Sequence, residues 1–287
     1  MTFTGKTKNL GLIGYPVEHS LSPVIQNPAI EAAGLDYAYI AMPVEKTRLG
    51  EAVGGLKSLG FKGFNITIPH KIGIMEFLDE VDENAKMIGA VNTVVIKDGK
   101  LYGHNTDATG FVTALEKKGF VIKGKKATLL GAGGAARAVI WGLIKSGIQS
   151  IDIGVRNVAK VEPLAEAFRQ YVPITVSDWE TPAFQKGLAA ADLLVNTTPL
   201  GMLPHTDAMP LVDWDYIRKD TFVYDIIYVP QRTKFLQQAQ DRGNPTLNGE
   251  GMLVEQGAAA FKLWTGHEAD IGLMTEALRR HLGSSHA

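Results

Sequence analysis

Residues 127–147 read ATLLGAGGAARAVIWGLIKSG. A short apolar run ends at Leu130, a glycine turn occupies Gly131-Ala132-Gly133-Gly134-Ala135-Ala136, and an apolar stretch of helical length continues to Gly147. The pattern G-x-G-x-x-A therefore stands with a strand before it and a helix after it, the flanks without which it carries little weight. In such a unit Gly131 permits the tight turn, Gly133 lets the backbone come close to a pyrophosphate, and Ala136 allows the helix to lie against the strand, while free N–H groups at the helix start face the phosphates. The plain alternative is a glycine-rich turn that only packs.

The following strand, SIDIGVR, decides which dinucleotide suits this loop. Cofactors with a free ribose 2′-hydroxyl are met by an acidic residue at that strand's end, whereas a 2′-phosphate is met by arginine. Here the strand closes on Val155-Arg156-Asn157, with Lys160 one helical turn further on. Two cations and no carboxylate favour NADP, and a charge-assisted contact contributes about 1.5–3 kcal/mol. Lys160 reads equally well as a solvated surface lysine, and Asp152 lies too early in the strand to serve.

Outward from this unit, short β-rich runs alternate with amphipathic stretches almost from end to end, which is the pattern of parallel sheets with crossover helices, an α/β protein. Before it come LGLIG (10–14), YAYIAM (37–42), FNITI (64–68) and NTVVI (92–96), with helical stretches at 46–59 and 82–88; after it come SIDIGVR, PITVS, ADLLVNTT and TFVYDIIY. Two sheets of this kind in 287 residues predict two domains, a dinucleotide-binding one with Rossmann-type doubly wound order and an N-terminal α/β one. The last forty residues carry two more helical patterns, Gly251–Thr265 and Ala269–Leu282, which could pack on either domain. No low-complexity linker separates the halves, so the boundary near Asn105–Thr109 is a tight junction.

Composition narrows the partner. With 29 basic and 30 acidic residues the chain has no electrostatic footprint for nucleic acid or an anionic membrane, so a small-molecule substrate is expected. The absence of cysteine excludes disulfides, thiolate metal sites and a cysteine nucleophile. The opening MTFTGKTKN is polar and is followed by an apolar run broken by Gly14 and Pro16, neither a signal peptide nor a span, which predicts a soluble, cytoplasmic protein. Among seven histidines, His19, His70 and His104 lie near the motifs below, yet none has metal-ligand spacing, so no metal is expected.

A dehydrogenase needs a proton donor beside the carbonyl it reduces. Lys71 leaves the FNITI strand through Pro69, at a sheet mouth where loops carry chemistry, and Asp107 closes GHNTD at the junction. Brought together, the ammonium could donate to a developing alkoxide while the carboxylate orients it. Taken singly, Lys71 is also a surface lysine and Asp107 a cap for a helix near Thr109. In HSLSPVIQNPAI, Ser20 and Ser22 stand at a helix start with Pro23 suited to the first position. Pro28 would fall inside a helix begun at Pro23, which predicts a turn and a new helix capped by Asn27. Hydroxyls and N–H groups converging there suit a carboxylate ligand.

In order, GLIGYPVEHSLSP, NITIPHK, GAVNT, GHNTD, GAGGAA, VNTTPLGM and GEGMLVEQGAAAFKLWTG resemble the successive signatures of the shikimate dehydrogenase family, including its quinate/shikimate members, over roughly residues 10–266. The resemblance implies a substrate-binding catalytic domain of residues 1–106 plus 246–287 around an NADP-binding domain of residues 107–245. It implies reversible NADPH-dependent reduction of 3-dehydroshikimate to shikimate, a step of aromatic amino acid biosynthesis, in a monomer or homodimer. Carried over residue by residue, Ser20 and Ser22 bind the substrate carboxylate. Thr67, Lys71, Asn92, Asp107 and Gln256 hold the ring hydroxyls and carbonyl, and Tyr228 lies near the substrate. Lys71 and Asp107 become the catalytic pair. Gly131, Ala132, Gly133, Gly134, Ala135, Arg156, Asn157, Lys160, Thr197 and Gly249 fall to the cofactor. Two departures stand out. The family's Asn-Arg-Thr or Asn-Arg-Arg is Val155-Arg156-Asn157 here; NAD-using members carry an aspartate just after the arginine pair, and Asn157 holds no charge, so NADP leads and NAD is the second option. The usual Met-His-Asn is Ile25-Gln26-Asn27, similar to the quinate/shikimate branch, which keeps a quinate/shikimate dehydrogenase using NAD or both cofactors open. A non-catalytic sensor of nucleotide and ring acid is the rival from another class.

Overall fold

The computed structural model describes residues 2–284. The chain folds into two compact units, one made of residues up to Gly110 together with those from Leu253 onward, the other of Phe111–Met252. The expected boundaries at 106/107 and 245/246 lie a few residues away from these divisions.

The first unit contains β1 (Lys8–Gly14), α1 (Ser22–Ala32), β2 (Tyr37–Pro43), α2 (Leu49–Ser58), β3 (Gly63–Ile66), β4 (Glu80–Val81), α3 (Glu83–Ile88), β5 (Thr93–Lys97) and β6 (Lys100–His104). Its six-stranded sheet runs β2-β1-β3-β5-β6-β4. The parallel pattern read from the alternation holds for part of this sheet: β1 is parallel to β2 and β3, but β3–β5 and β5–β6 are antiparallel. The β5–β6 pair follows from the two-residue turn Asp98-Gly99, both at positive φ (51° and 72°), which folds β5 back into β6 as a hairpin. Ile13, Val53, Phe64, Ile66, Ile74 and Val94 centre the core of this sheet.

The helix α1 also departs from expectation. It is continuous from Ser22 through Pro28 to Ala32, with Leu21 at the N-cap and no side-chain cap. Pro23 sits in the first turn, where its missing N–H is no loss. Asn27 is not a cap: its side chain donates to Pro23 O (3.2 Å) and Tyr39 O (2.9 Å) and accepts from Tyr39 N (2.9 Å). Binding both main-chain groups of Tyr39 ties α1 to the edge strand β2, and this tertiary anchoring outweighs the single helical bond that Pro28 removes.

The second unit contains β7 (Lys126–Leu130), α5 (Gly134–Lys145), β8 (Ser150–Val155), α6 (Val158–Arg169), β9 (Ile174–Asp178), α7 (Pro182–Ala190), β10 (Leu193–Asn196), β11 (Phe222–Asp225), α8 (Lys234–Asp241) and β12 (Thr246–Leu247). Its sheet reads β9-β8-β7-β10-β11-β12, parallel throughout. This is the doubly wound order 3-2-1-4-5-6, whose switch point lies between the first and fourth strands, here β7 and β10. Leu130, Leu194, Val223, Phe184 and Phe235 fill one core of the sheet. The helix α4 (Asp107–Lys117) contains the first division point and α9 (Glu250–Thr265) the second. Past its division point α9 returns to the first sheet, where Trp264 Nε1 donates to Val94 O at 2.9 Å, and α10 (Ile271–Ser284) packs on α1. Among the described residues no helix is long and apolar enough to cross a membrane.

Candidate active site

In the first unit the chain leaves β3 and brings Lys71 beside the start of β5, where Val91 N donates to Lys71 O at 2.8 Å. Asp107 is the first residue of α4. The capping work expected of it belongs to Asn105, whose side-chain oxygen accepts from Asp107 N (3.1 Å) and Ala108 N (3.4 Å). The Asp107 carboxylate, favoured by the positive end of the helix, is thereby free for side chains. Lys71 Nζ donates to Asp107 Oδ2 at 2.5 Å, with the lysine side chain 18% and the aspartate side chain 9% exposed. Asn92 Nδ2 donates to the other carboxylate oxygen, Oδ1, at 2.8 Å. Both carboxylate oxygens therefore have fixed partners, and a partly buried ammonium remains with donors to spare.

Three of the expected substrate residues, Lys71, Asn92 and Asp107, are thus in direct contact. Ser20 and Ser22 meet through Ser20 Oγ, which accepts from Ser22 N at 3.3 Å. Thr67 is partly exposed just past β3, and Gln256 Nε2 turns back to Leu253 O of its own helix at 2.7 Å. Several residues not singled out complete the cluster. Thr106 N donates to Asn92 Oδ1 (2.8 Å), and Asn65 Nδ2 donates to Asn92 O (3.0 Å) and to Thr93 Oγ1 (2.9 Å). Asn65 carried a signal that could have found it, an amide at a buried position of an apolar strand, which must have partners. His70 Nε2 lies 2.7 Å from Val44 O, and His104 Nδ1 lies 2.8 Å from Asp82 Oδ2. Among the described residues no group of three His, Asp or Glu is placed to hold a metal.

In the second unit Gly131 has φ +91°, and a Cβ there would come within 2.5 Å of Thr198 Cγ2, so the turn at the switch point requires glycine. Thr197 Oγ1 donates to Leu130 O (2.9 Å) or Gly131 O (3.1 Å), clamping the end of β7 to the loop after β10. The helix α5 starts at Gly134 with Gly133 at its N-cap and no side-chain cap, and nothing lies within 4 Å of where a Cβ would project from Gly133 or Gly134. A twelve-residue helix with an uncapped start and open space beside its glycines fits a pyrophosphate. Arg156 and Lys160 are exposed at the end of β8 and in the first turn of α6. Asn157 is the N-cap of α6, accepting from Lys160 N at 3.1 Å. Gly249 N donates to Ile227 O at 2.9 Å, and a Cβ on it would overlap Ile226 O, so close packing accounts for this glycine. Tyr228 follows Asp225 in the same stretch, and burial pushes its phenol up.

Residues 12–94 match the family model of the shikimate dehydrogenase substrate binding domain, 113–202 that of shikimate / quinate 5-dehydrogenase, and 249–279 that of the shikimate 5′-dehydrogenase C-terminal domain. A protein of Methanopyrus kandleri named shikimate dehydrogenase (NADP+) is 46% identical over 280 residues, 96% of this chain and 97% of the relative. The chain belongs to the shikimate dehydrogenase family. A solved family member in complex with NADP+ superposes with a TM-score of 0.91 at 42% identity, covering 98% of both chains. The Listeria monocytogenes shikimate 5-dehydrogenase, solved with shikimate and NAD, gives a TM-score of 0.92 at 37% identity over 97% of this chain and 98% of its own. Family membership also covers the fold: an N-terminal α/β substrate domain and a Rossmann-type dinucleotide-binding domain.

Proposed function

We propose that this chain catalyses the reversible NADPH-dependent reduction of 3-dehydroshikimate to shikimate, in aromatic amino acid biosynthesis. The observation that carries the reading is the Lys71–Asp107 pair, 2.5 Å between Nζ and Oδ2, in a chain of this family. When bound, NADPH supplies the hydride. Lys71 gives a proton from its ammonium to the oxygen of the reduced carbonyl, and takes it back in the reverse direction. Asp107 holds the ammonium in place, and Asn92 fixes the carboxylate from the other side. Ser20 and Ser22 bind the ring carboxylate, Thr67, Asn92 and Gln256 the ring hydroxyls, and Tyr228 lies beside the substrate.

The cofactor falls to the second unit, with backbone N–H groups of Gly131–Ala135 on the pyrophosphate, Thr197 and Gly249 in the surrounding loops, and Arg156, Asn157 and Lys160 at the adenosine end. The exposed cations after β8, without a carboxylate in their place, support NADP over NAD. Relatives named for NADP(+) point the same way, so neither the quinate/shikimate enzyme using NAD nor the non-catalytic sensor is favoured. The units from residue 1 and from residue 111 correspond to the substrate and cofactor domains in this reading. Balanced charge and a cysteine-free chain support a cytoplasmic protein working on small molecules without nucleic acid, and a monomer or homodimer is proposed with it. Lys71→Ala tests the assignment: kcat should fall about 10²–10⁴-fold with cofactor affinity retained, the scale of a lost general acid. Near-normal kcat in that variant removes Lys71 from the chemistry.

A further inference from the structure

The hydrogen bonds of the dyad do not stop at Asn92. Tyr39 on β2 and Asn65 on β3 are separated by β1, whose Leu10 is level with Tyr39 on one side and Gly63 on the other. Asn65 is two residues beyond Gly63, so its side chain shares a face with that of Tyr39, and the phenol reaches over β1 to donate to Asn65 Oδ1 at 2.7 Å. From Asn65 the bonds continue to Asn92 O (3.0 Å) and Thr93 Oγ1 (2.9 Å), and Thr93 Oγ1 donates to Asn92 Oδ1 at 3.0 Å. Asn92 Nδ2 then donates to Asp107 Oδ1 at 2.8 Å, and Lys71 holds Oδ2. Tyr39, Asn65, Asn92 and Thr93 are all at most 5% exposed.

The direction of every bond is fixed by groups with only one option. Asn92 O can only accept, so the amide nitrogen of Asn65 must face it, which turns Asn65 Oδ1 to Tyr39 and makes the phenol the donor. The N–H of Thr106 can only donate, so Asn92 Oδ1 faces it and Asn92 Nδ2 faces the Asp107 carboxylate. At the far end, burial holds the Tyr39 phenol far above its ordinary range, and the Ser22 hydroxyl is the neighbour that draws it down.

We propose that Tyr39 and Asn65 are positioning residues, which fix the amide of Asn92 and through it the Asp107 carboxylate against Lys71. The proposal rests on the dehydrogenase reading for its kinetic consequence and on geometry alone for its structural one. Removing the phenol hydroxyl leaves Asn65 Oδ1 buried without its donor, which favours rotation of the amide and loss of its bonds to Asn92 O and Thr93.

Tyr39→Phe in the full chain tests both consequences. In shikimate oxidation with NADP+, kcat should fall about tenfold, the scale of a slightly misplaced catalytic group, while KM for NADP+ stays within about twofold. Val53→Ala, a core truncation away from this chain of bonds, should lower the melting temperature yet keep kcat within about twofold. In amide-resolved NMR of the ligand-free protein, the side-chain signals of both Asn65 and Asn92 should move in Tyr39→Phe. Thr93→Val, which breaks the same line at another point, should also move that of Asn92. A kcat loss no larger than that of Val53→Ala, or an Asn92 signal unmoved in both variants, overturns the proposal. Should the parent chain fail to turn over shikimate, the functional reading falls, and the Asn92 signal still decides the positioning role.

Discussion

In the proposed reading, cofactor choice turns on Arg156. It is exposed at the end of β8, followed by an asparagine whose side chain is already engaged in capping α6. A guanidinium on a 2′-phosphate contributes about 1.5–3 kcal/mol, so Arg156→Ala should raise KM for NADPH about 10–100-fold and leave KM for NADH within about twofold. Equal changes with both cofactors, in steady-state titrations of each, would remove the 2′-phosphate role. Lys71 and Asp107 were legible as candidates because each follows a strand or motif in sequence, but the letters alone left a surface lysine and a helix cap as equal readings. The capping of α4 by Asn105 and the bond from Lys71 Nζ to Asp107 Oδ2 separate them. Asn65 was legible only as an amide on an apolar strand and Tyr39 not at all, since their contact depends on the register of three strands.

At the scale of elements, the ends of β10 and β11 are joined by a buried carboxylate. Asp225 is fully buried and accepts from Asn196 Nδ2 (3.0 Å), Ile227 N (3.1 Å) and Thr233 Oγ1 (2.6 Å), the last being the N-cap of α8. Burial pushes its pKa up to about 6 despite these three bonds. A carboxyl that holds its proton better folded than unfolded gives its full stabilisation below about pH 4 and loses it as pH rises through about 6. Asp225→Asn cannot ionise, so its stability relative to the parent should improve by about 1–3 kcal/mol between pH 4 and pH 7.5 in urea unfolding. A difference independent of pH would contradict the buried ionisation. Strand and helix positions were readable where periodicity ran over whole elements, as in β7 and α5. The hairpin β5–β6 was missed although Asp98-Gly99 announced it, and α1 was broken at Pro28 because anchoring by Asn27 is a tertiary fact.

For the whole molecule, one glycine loop in a strand-to-helix context predicted the parallel second sheet and its strand order followed. The return of α9 to the first sheet was not readable from composition, since Trp264 meets Val94 across 170 residues of chain. In the proposed function a lysine–aspartate pair in one unit and a cation-marked dinucleotide loop in the other serve an NADP-dependent shikimate dehydrogenase. Initial rates of oxidation of shikimate and of quinate, each with NADP+ and with NAD+, test it by absorbance of the reduced nicotinamide. Shikimate with NADP+ should exceed shikimate with NAD+ by at least about tenfold in kcat/KM, the factor that one charge-assisted contact supplies, and should exceed quinate with either cofactor. Comparable rates with quinate or with NAD+ would contradict it.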